Sequence, residues 1–131
     1  MERVRDGRSD DTGALIAAER NDRRMWALHA GLLAEEVVPV VPAPVLAEAW
    51  QGGPRQASLA RLLAMCDVEE MSVKQAQDVG VLAGKADHDD IVDVTVVEGA
   101  ARRGDAVVTA NRSHIEKIAA AAGKGIVIED A

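Results

Sequence analysis

The stretch DHDDIVDVTVVEGAARRGDAVVTAN, Asp87 to Asn111, decides the fold. Its Val, Ile and Thr residues favour strands. Its length, its acidic first turn and its closing Arg102-Arg103-Gly104 favour a helix with charges matched to both ends of the dipole. We read DDIVDVTVVEGAARRG as a helix and AVVTA, Ala106 to Ala110, as the strand after it. Downstream, RSHIEKIAAAAG predicts a helix and GIVIED a last strand. Upstream, SVKQAQDVGVLAGKA predicts a helix with Ser72 as its N-cap. DVEEM around Val68 predicts an edge strand. RQASLARLLAMC is a helix, separated by Gly52–Pro54 from the helix APVLAEAWQ, which has Pro44 in its first turn. VVPVV, Val37 to Val41, is a short strand weakened by Pro39. DRRMWALHAGLLAEE is a helix with Trp26, Leu28, Leu32 and Leu33 near one face. TGALIAAE after Asp11 is a short helix. Strands alternating with helices predict an α/β fold, a parallel sheet covered on both faces.

The 131 residues suit one domain, and 48% of them are hydrophobic, enough for a core. No apolar run approaches the roughly 20 residues needed to cross a bilayer. The polar start MERVRDGRSDD is unlike a secretory signal. Cys66 is the sole cysteine, which excludes an intrachain disulfide and a multi-cysteine zinc site. These features together lead us to expect a reducing cytoplasm. The net charge of −7 argues against gripping nucleic acid through bulk charge. With no Phe or Tyr and two Trp, platforms for stacking bases are scarce.

Ligands on parallel sheets bind beyond the carboxyl ends of the strands. Asp11, Glu48, Asp90, Asp93 and Asn111 are all expected near that end. Asp11 is equally well explained as an N-cap, worth about 1 kcal/mol. Glu48, taken alone, suits a solvated helix face, although Leu46, Ala47, Ala49 and Trp50 make a poor one. Asp87, Asp89 and Asp90 suit a helix N-terminus. Asn111 suits a loop or cap. Asp93 lies past the first turn, beside Val92 and Val94 and on one face with Val97 and Ala100. An unpaired carboxylate there costs several kcal/mol, so it needs a cation or an arginine. Carboxylates about 4 Å apart repel by roughly 4 kcal/mol at an effective dielectric near 20. A divalent ion turns that repulsion into affinity, and Mg²⁺ or Mn²⁺ suits oxygen ligands. Zinc suits the set poorly, because His29, His88 and His114 lie on separate segments and only His88 is expected near the acids.

DTGALIA, then PAPVLAEAW, then DIVDVTVVEGAARRGDAVVTAN, in that order and from Asp11 onward, resembles the PIN-domain nucleases. Within them it most resembles the VapC-like toxins of type II toxin–antitoxin pairs. The resemblance implies a PIN-like three-layer α/β fold, a short, mostly parallel central sheet flanked by helices, in one domain spanning residues 1–131. It implies a Mg²⁺- or Mn²⁺-dependent endoribonuclease, with Asp11, Glu48, Asp93 and Asp90 as metal ligands. Thr109 and Asn111 would orient water or phosphate at the same catalytic site. Arg112, Arg20, Arg23 and Arg24, with Arg55 and Arg61, become candidates for the RNA backbone. It also implies an antitoxin partner and a homodimer, with no membrane association. Two departures stand out. The family's first strand is apolar, but residues 1–10 offer little besides Val4, so an irregular first strand is expected and Asp10 competes with Asp11. Asn111 is neutral where many members have aspartate, which weakens a second metal site.

Two rival readings stand beside this one. The first is a PIN-like module that binds a partner without catalysis. The second is a receiver-like phosphoacceptor domain using Asp10, Asp11, Thr109 and Lys124, although no aspartate follows VVPVV as that scheme requires.

Overall fold

The structure, a computed structural model, describes residues 7–131, with Arg55 described by its backbone alone. Residues 1–6, including Val4, lie outside the described residues. The elements run β1 (Arg8–Asp10), α1 (Thr12–Glu19), α2 (Arg23–Ala34), β2 (Val40–Pro42), α3 (Ala43–Ala49), a 3-10 turn (Pro54–Gln56), α4 (Ala57–Leu63) and β3 (Asp67–Glu69). Then follow α5 (Val73–Ala86), α6 (Ile91–Arg103), β4 (Ala106–Thr109), α7 (Arg112–Ala122) and β5 (Ile128–Asp130). The strands form one five-stranded sheet in the order β3-β2-β1-β4-β5, with every pair parallel. The expected mostly parallel sheet is fully parallel, and DVEEM supplies its edge as expected.

The order fixes the layers. From β1 the chain steps outward to β2 and β3, then returns past β1 to β4 and on to β5. Right-handed crossovers place the helices of the two directions on opposite faces. Accordingly α1 packs on α2, α3 and α4, while α5, α6 and α7 pack on one another. The strand order is not the 2-1-3-4-5 of receiver domains. Lys124 donates to the Ala101 carbonyl in the last turn of α6, 3.4 Å away. The receiver reading is therefore set aside.

The ambiguous stretch is a helix. Asp90 caps α6 by accepting from the N–H groups of Val92 and Asp93, and Gly104 ends it in the left-handed region at φ 75°. Its Val94, Val96, Val97 and Ala100 are fully buried and outweigh β propensity. β2 starts later than expected. Glu36 turns left-handed, Val37 closes the end of α2 by donating to Leu32, and pairing begins after Pro39, which has no N–H.

Residues 8–10 form a regular strand at the centre of the sheet, although Arg-Ser-Asp is polar. It is tolerated because the side chains of Arg8 and Ser9 find partners. Ser9, fully buried, donates to Asp105 Oδ2 at 2.9 Å and accepts from Arg103 Nη2 at 2.8 Å. Arg103 also binds Asp105 at 2.8 Å and Glu69 on β3 at 2.6 Å. Arg8 pairs with Glu129 at 2.9 Å. Burial pushes the Glu69 carboxyl up, but Arg102 and Arg103 outweigh it and hold the group below its ordinary range. The buried face of α2 also differs from expectation. Met25, His29 and Leu32 are its buried residues, and Trp26, Leu28 and Leu33 flank them.

Candidate active site

The crevice at a parallel sheet's switch point opens where neighbouring strands send their chains to opposite faces. Here those strands are β1 and β4. Asp11 ends β1, and its N–H completes the ladder to Val108 at 3.0 Å. Thr109 ends β4. Gly13 permits close approach, since a Cβ there would stand 2.5 Å from the Cβ of Ala110.

Asp11 is almost wholly buried. It caps α1 by accepting from Ala14 N–H at 2.9 Å and takes a second bond from the Thr109 hydroxyl. Thr109 in turn accepts from Asn111 N–H at 2.7 Å. The capping role read in the sequence is present, and it leaves Asp11 at the mouth of the crevice. Burial pushes the Asp11 carboxyl up to about 6, against the pull of Thr109 and Ala14, and the charges of Asp93 and Asp10 push the same way. Asp93 is raised as well, first by burial and then by the charge of Asp90. Burial thus raises both carboxyls, and the charge of Asp93 reaches Asp11, a repulsion that a cation between them would relieve.

Asp93 has company that the sequence hid. His88 Nε2 lies 3.7 Å and His114 Nδ1 3.5 Å from its Oδ2. Both imidazoles draw the Asp93 carboxyl back down. Their rings meet edge to face with centroids 5.2 Å apart. The expectation that only His88 is near the acids is corrected. His114 stands three residues past Asn111, so the first turn of α7 carries it to the same end of the sheet. That spacing was the available signal. The three side chains place one donor atom each within 4.8 Å of one another, so the site offers nitrogen as well as oxygen to a metal.

Not every expected residue joins. Glu48 is exposed on α3, where it lines a cleft with Ile16, Glu19 and Arg20 from the latter half of α1. No described contact joins it to Asp11 or Asp93. Asp90 is exposed and occupied as the cap of α6. Asn111 is exposed and precedes α7 without a side-chain cap bond. Arg112 binds Asp130 at 3.0 Å and the Ile128 carbonyl at 2.8 Å, so it is engaged in holding β5. Arg20, Arg23 and Arg24 are exposed near the α1–α2 turn. Asp10 does not take the place of Asp11. It is buried with its Oδ2 2.8 Å from His29 Nε2. Among the described residues, no helix is long and apolar enough to cross a membrane.

No family model matches the sequence, and no curated protein matches it. Solved structures do match. A chain of VapBC2 from Rickettsia felis, in a crystal structure bound to a DNA fragment from the promoter, superposes with a TM-score of 0.73. The match is at 17% identity and covers 95% of this chain and 98% of that one. PAE2754 from Pyrobaculum aerophilum superposes with a TM-score of 0.65 at 17% identity, over 94% of this chain and 83% of that one. The likeness is one of fold along nearly the whole chain, and the fold this protein has is the PIN-like α/β fold, a parallel sheet flanked by helices.

Proposed function

We propose that the protein is a divalent-metal-dependent endoribonuclease, a VapC-like toxin of the PIN type that pairs with an antitoxin. The observation that carries this reading is the buried Asp11 carboxyl, held at the switch point of a PIN-like sheet and within reach of the charge of Asp93. Asp11 and Asp93 would hold the ion, with His88 and His114 beside Asp93. Nitrogen donors suit Mn²⁺ better than Mg²⁺. A bound divalent ion lowers the pKa of a water and offsets charge on a phosphodiester.

The chain's own residues do the rest. Thr109 fixes the Asp11 carboxylate by donating its hydroxyl proton, and the N–H of Asn111 fixes Thr109. Asp90 holds the first turn of α6, and so Asp93, in place. His114, half exposed beside Asp93, would offer its Nδ1 to the same ion together with His88. Arg20, Arg23 and Arg24 are free of described ion pairs and suit RNA phosphates, whereas Arg112 serves β5. Glu48 stands apart on α3 and would act on the ion only through intervening water. A basic antitoxin segment suits the acidic crevice by complementarity of charge, and the protein acts as a homodimer in the cytoplasm.

The test is RNA cleavage by the purified chain with Mn²⁺, with Mg²⁺ and with EDTA, beside Asp93→Asn. The reading expects Mn²⁺-supported cleavage that EDTA and the substitution both abolish. Equal cleavage by the variant removes Asp93 from the mechanism. The exposed, unjoined Glu48 favours a second reading, a binding-only module. Absence of Mn²⁺ binding together with absence of cleavage would select it.

A further inference from the structure

Asp10, His29 and Cys66 come from β1, α2 and the residue before β3, and they form a donor cluster distinct from that of His88, Asp93 and His114. Asp10 and His29 are both fully buried, and Cys66 is partly buried. One carboxylate oxygen, one imidazole nitrogen and the thiol sulfur all lie within 4.8 Å of one another. Although Asp10 Oδ2 and His29 Nε2 are 2.8 Å apart, their alignment makes no hydrogen bond. Both oxygens of Asp10 and both nitrogens of His29 are buried without a hydrogen-bond partner among the described residues. Buried polar atoms are nearly always bonded, and an orphaned set of this kind calls for an explanation. An ion pair explains one contact and leaves the other oxygen and nitrogen unmet. Three lone-pair donors converging on one point fit a cation.

We propose that Asp10, His29 and Cys66 form a second metal site, specific for a thiolate-binding ion of the Zn²⁺ class. Oxygen, nitrogen and sulfur donors together select Zn²⁺ over Mg²⁺ or Mn²⁺, and three protein ligands leave a fourth position to solvent. Cys66, the partly exposed member, marks the side from which an ion enters. As the metal–sulfur bond forms, the thiol proton leaves to solvent and Asp10 and His29 supply their lone pairs. The ion ties the central strand to α2 and to the approach to β3, so its role is structural. It is independent of RNA cleavage.

Cys66 is the single cysteine, so any thiolate signal reports this site alone. The experiment titrates Co²⁺ into the metal-free full chain and follows the thiolate-to-cobalt charge-transfer absorption in the near ultraviolet. The same titration is run on Cys66→Ser, His29→Gln and Asp93→Asn. Alkylation of Cys66 by iodoacetamide is then timed with Zn²⁺ and with EDTA. The band is expected to saturate at one equivalent in the wild type and in Asp93→Asn. It is expected to vanish in Cys66→Ser and to weaken at least tenfold in apparent affinity in His29→Gln. Zn²⁺ should bleach the band and slow alkylation by at least tenfold. A folded wild type without the band, or one alkylated equally fast with Zn²⁺ and EDTA, overturns the proposal whether or not any variant folds. A Co²⁺-bound chain that fails to cleave RNA bears only on the nuclease reading.

Discussion

Asp11→Asn should make the metal-free protein more stable at neutral pH. Burial holds the folded Asp11 carboxyl at about 6 against an ordinary 3.8, so between those values the folded protein binds more protons than the unfolded chain. Wild-type stability therefore falls as pH rises through that window, and the full cost stands above about pH 6. At about 1.36 kcal/mol per pH unit, the cost comes to about 3 kcal/mol. Asparagine caps a helix as well as aspartate does. Its carbonyl oxygen keeps the Ala14 N–H satisfied, so the substitution removes the charge and keeps the cap. For a chain of this length, about 3 kcal/mol corresponds to about 10 °C in Tm. The assay is urea unfolding with EDTA present at about pH 7.5, repeated below about pH 3, where wild-type Asp11 is protonated in both states. The variant should lead by about 3 kcal/mol in the first condition and lose that lead in the second. Saturating Mn²⁺ should raise the wild type and leave the variant unmoved. Equal stabilities at neutral pH in EDTA would refute the reasoning, because they would mean that the Asp11 carboxylate is well solvated.

Thr109→Val removes a hydroxyl that lowers the Asp11 pKa. The acidic limb of Mn²⁺ binding, followed by calorimetry against pH, should move upward while the fold is kept. His88→Ala with His114→Ala removes both imidazoles that draw Asp93 down. Mn²⁺ affinity should fall about tenfold and Mg²⁺ affinity less, a difference in preference that competition titration reads. Arg103→Met leaves Ser9, Asp105 and Glu69 without their shared donor. Stability in urea should drop by roughly 2–3 kcal/mol, discounted for the part of the guanidinium that solvent reaches. A smaller loss than about 1 kcal/mol would mean that water substitutes for Arg103 in the network.

The sequence by itself determined the order of elements and most of their ends. Those signals act over a few residues. Ser72 caps α5, Asp11 and Asp90 cap α1 and α6, and Gly104 stops α6, all from local chemistry. The apolar runs AVVTA and VVPVV marked strands, and the acids fell at the carboxyl ends because each follows a strand or opens a helix. Tertiary structure decided what those residues face. Ser9 and Asp105 bond across 96 positions, and long-range contacts of this kind let a polar tripeptide serve as the central strand. His114 reaches Asp93 because β4 lies beside β1, and Glu48 stands apart because α3 turns it toward the far half of α1. Asp10, His29 and Cys66 read along the chain as a strand residue, a helix residue and a lone thiol. Sheet order brings them together, and no periodicity within any one segment encodes a meeting of three segments.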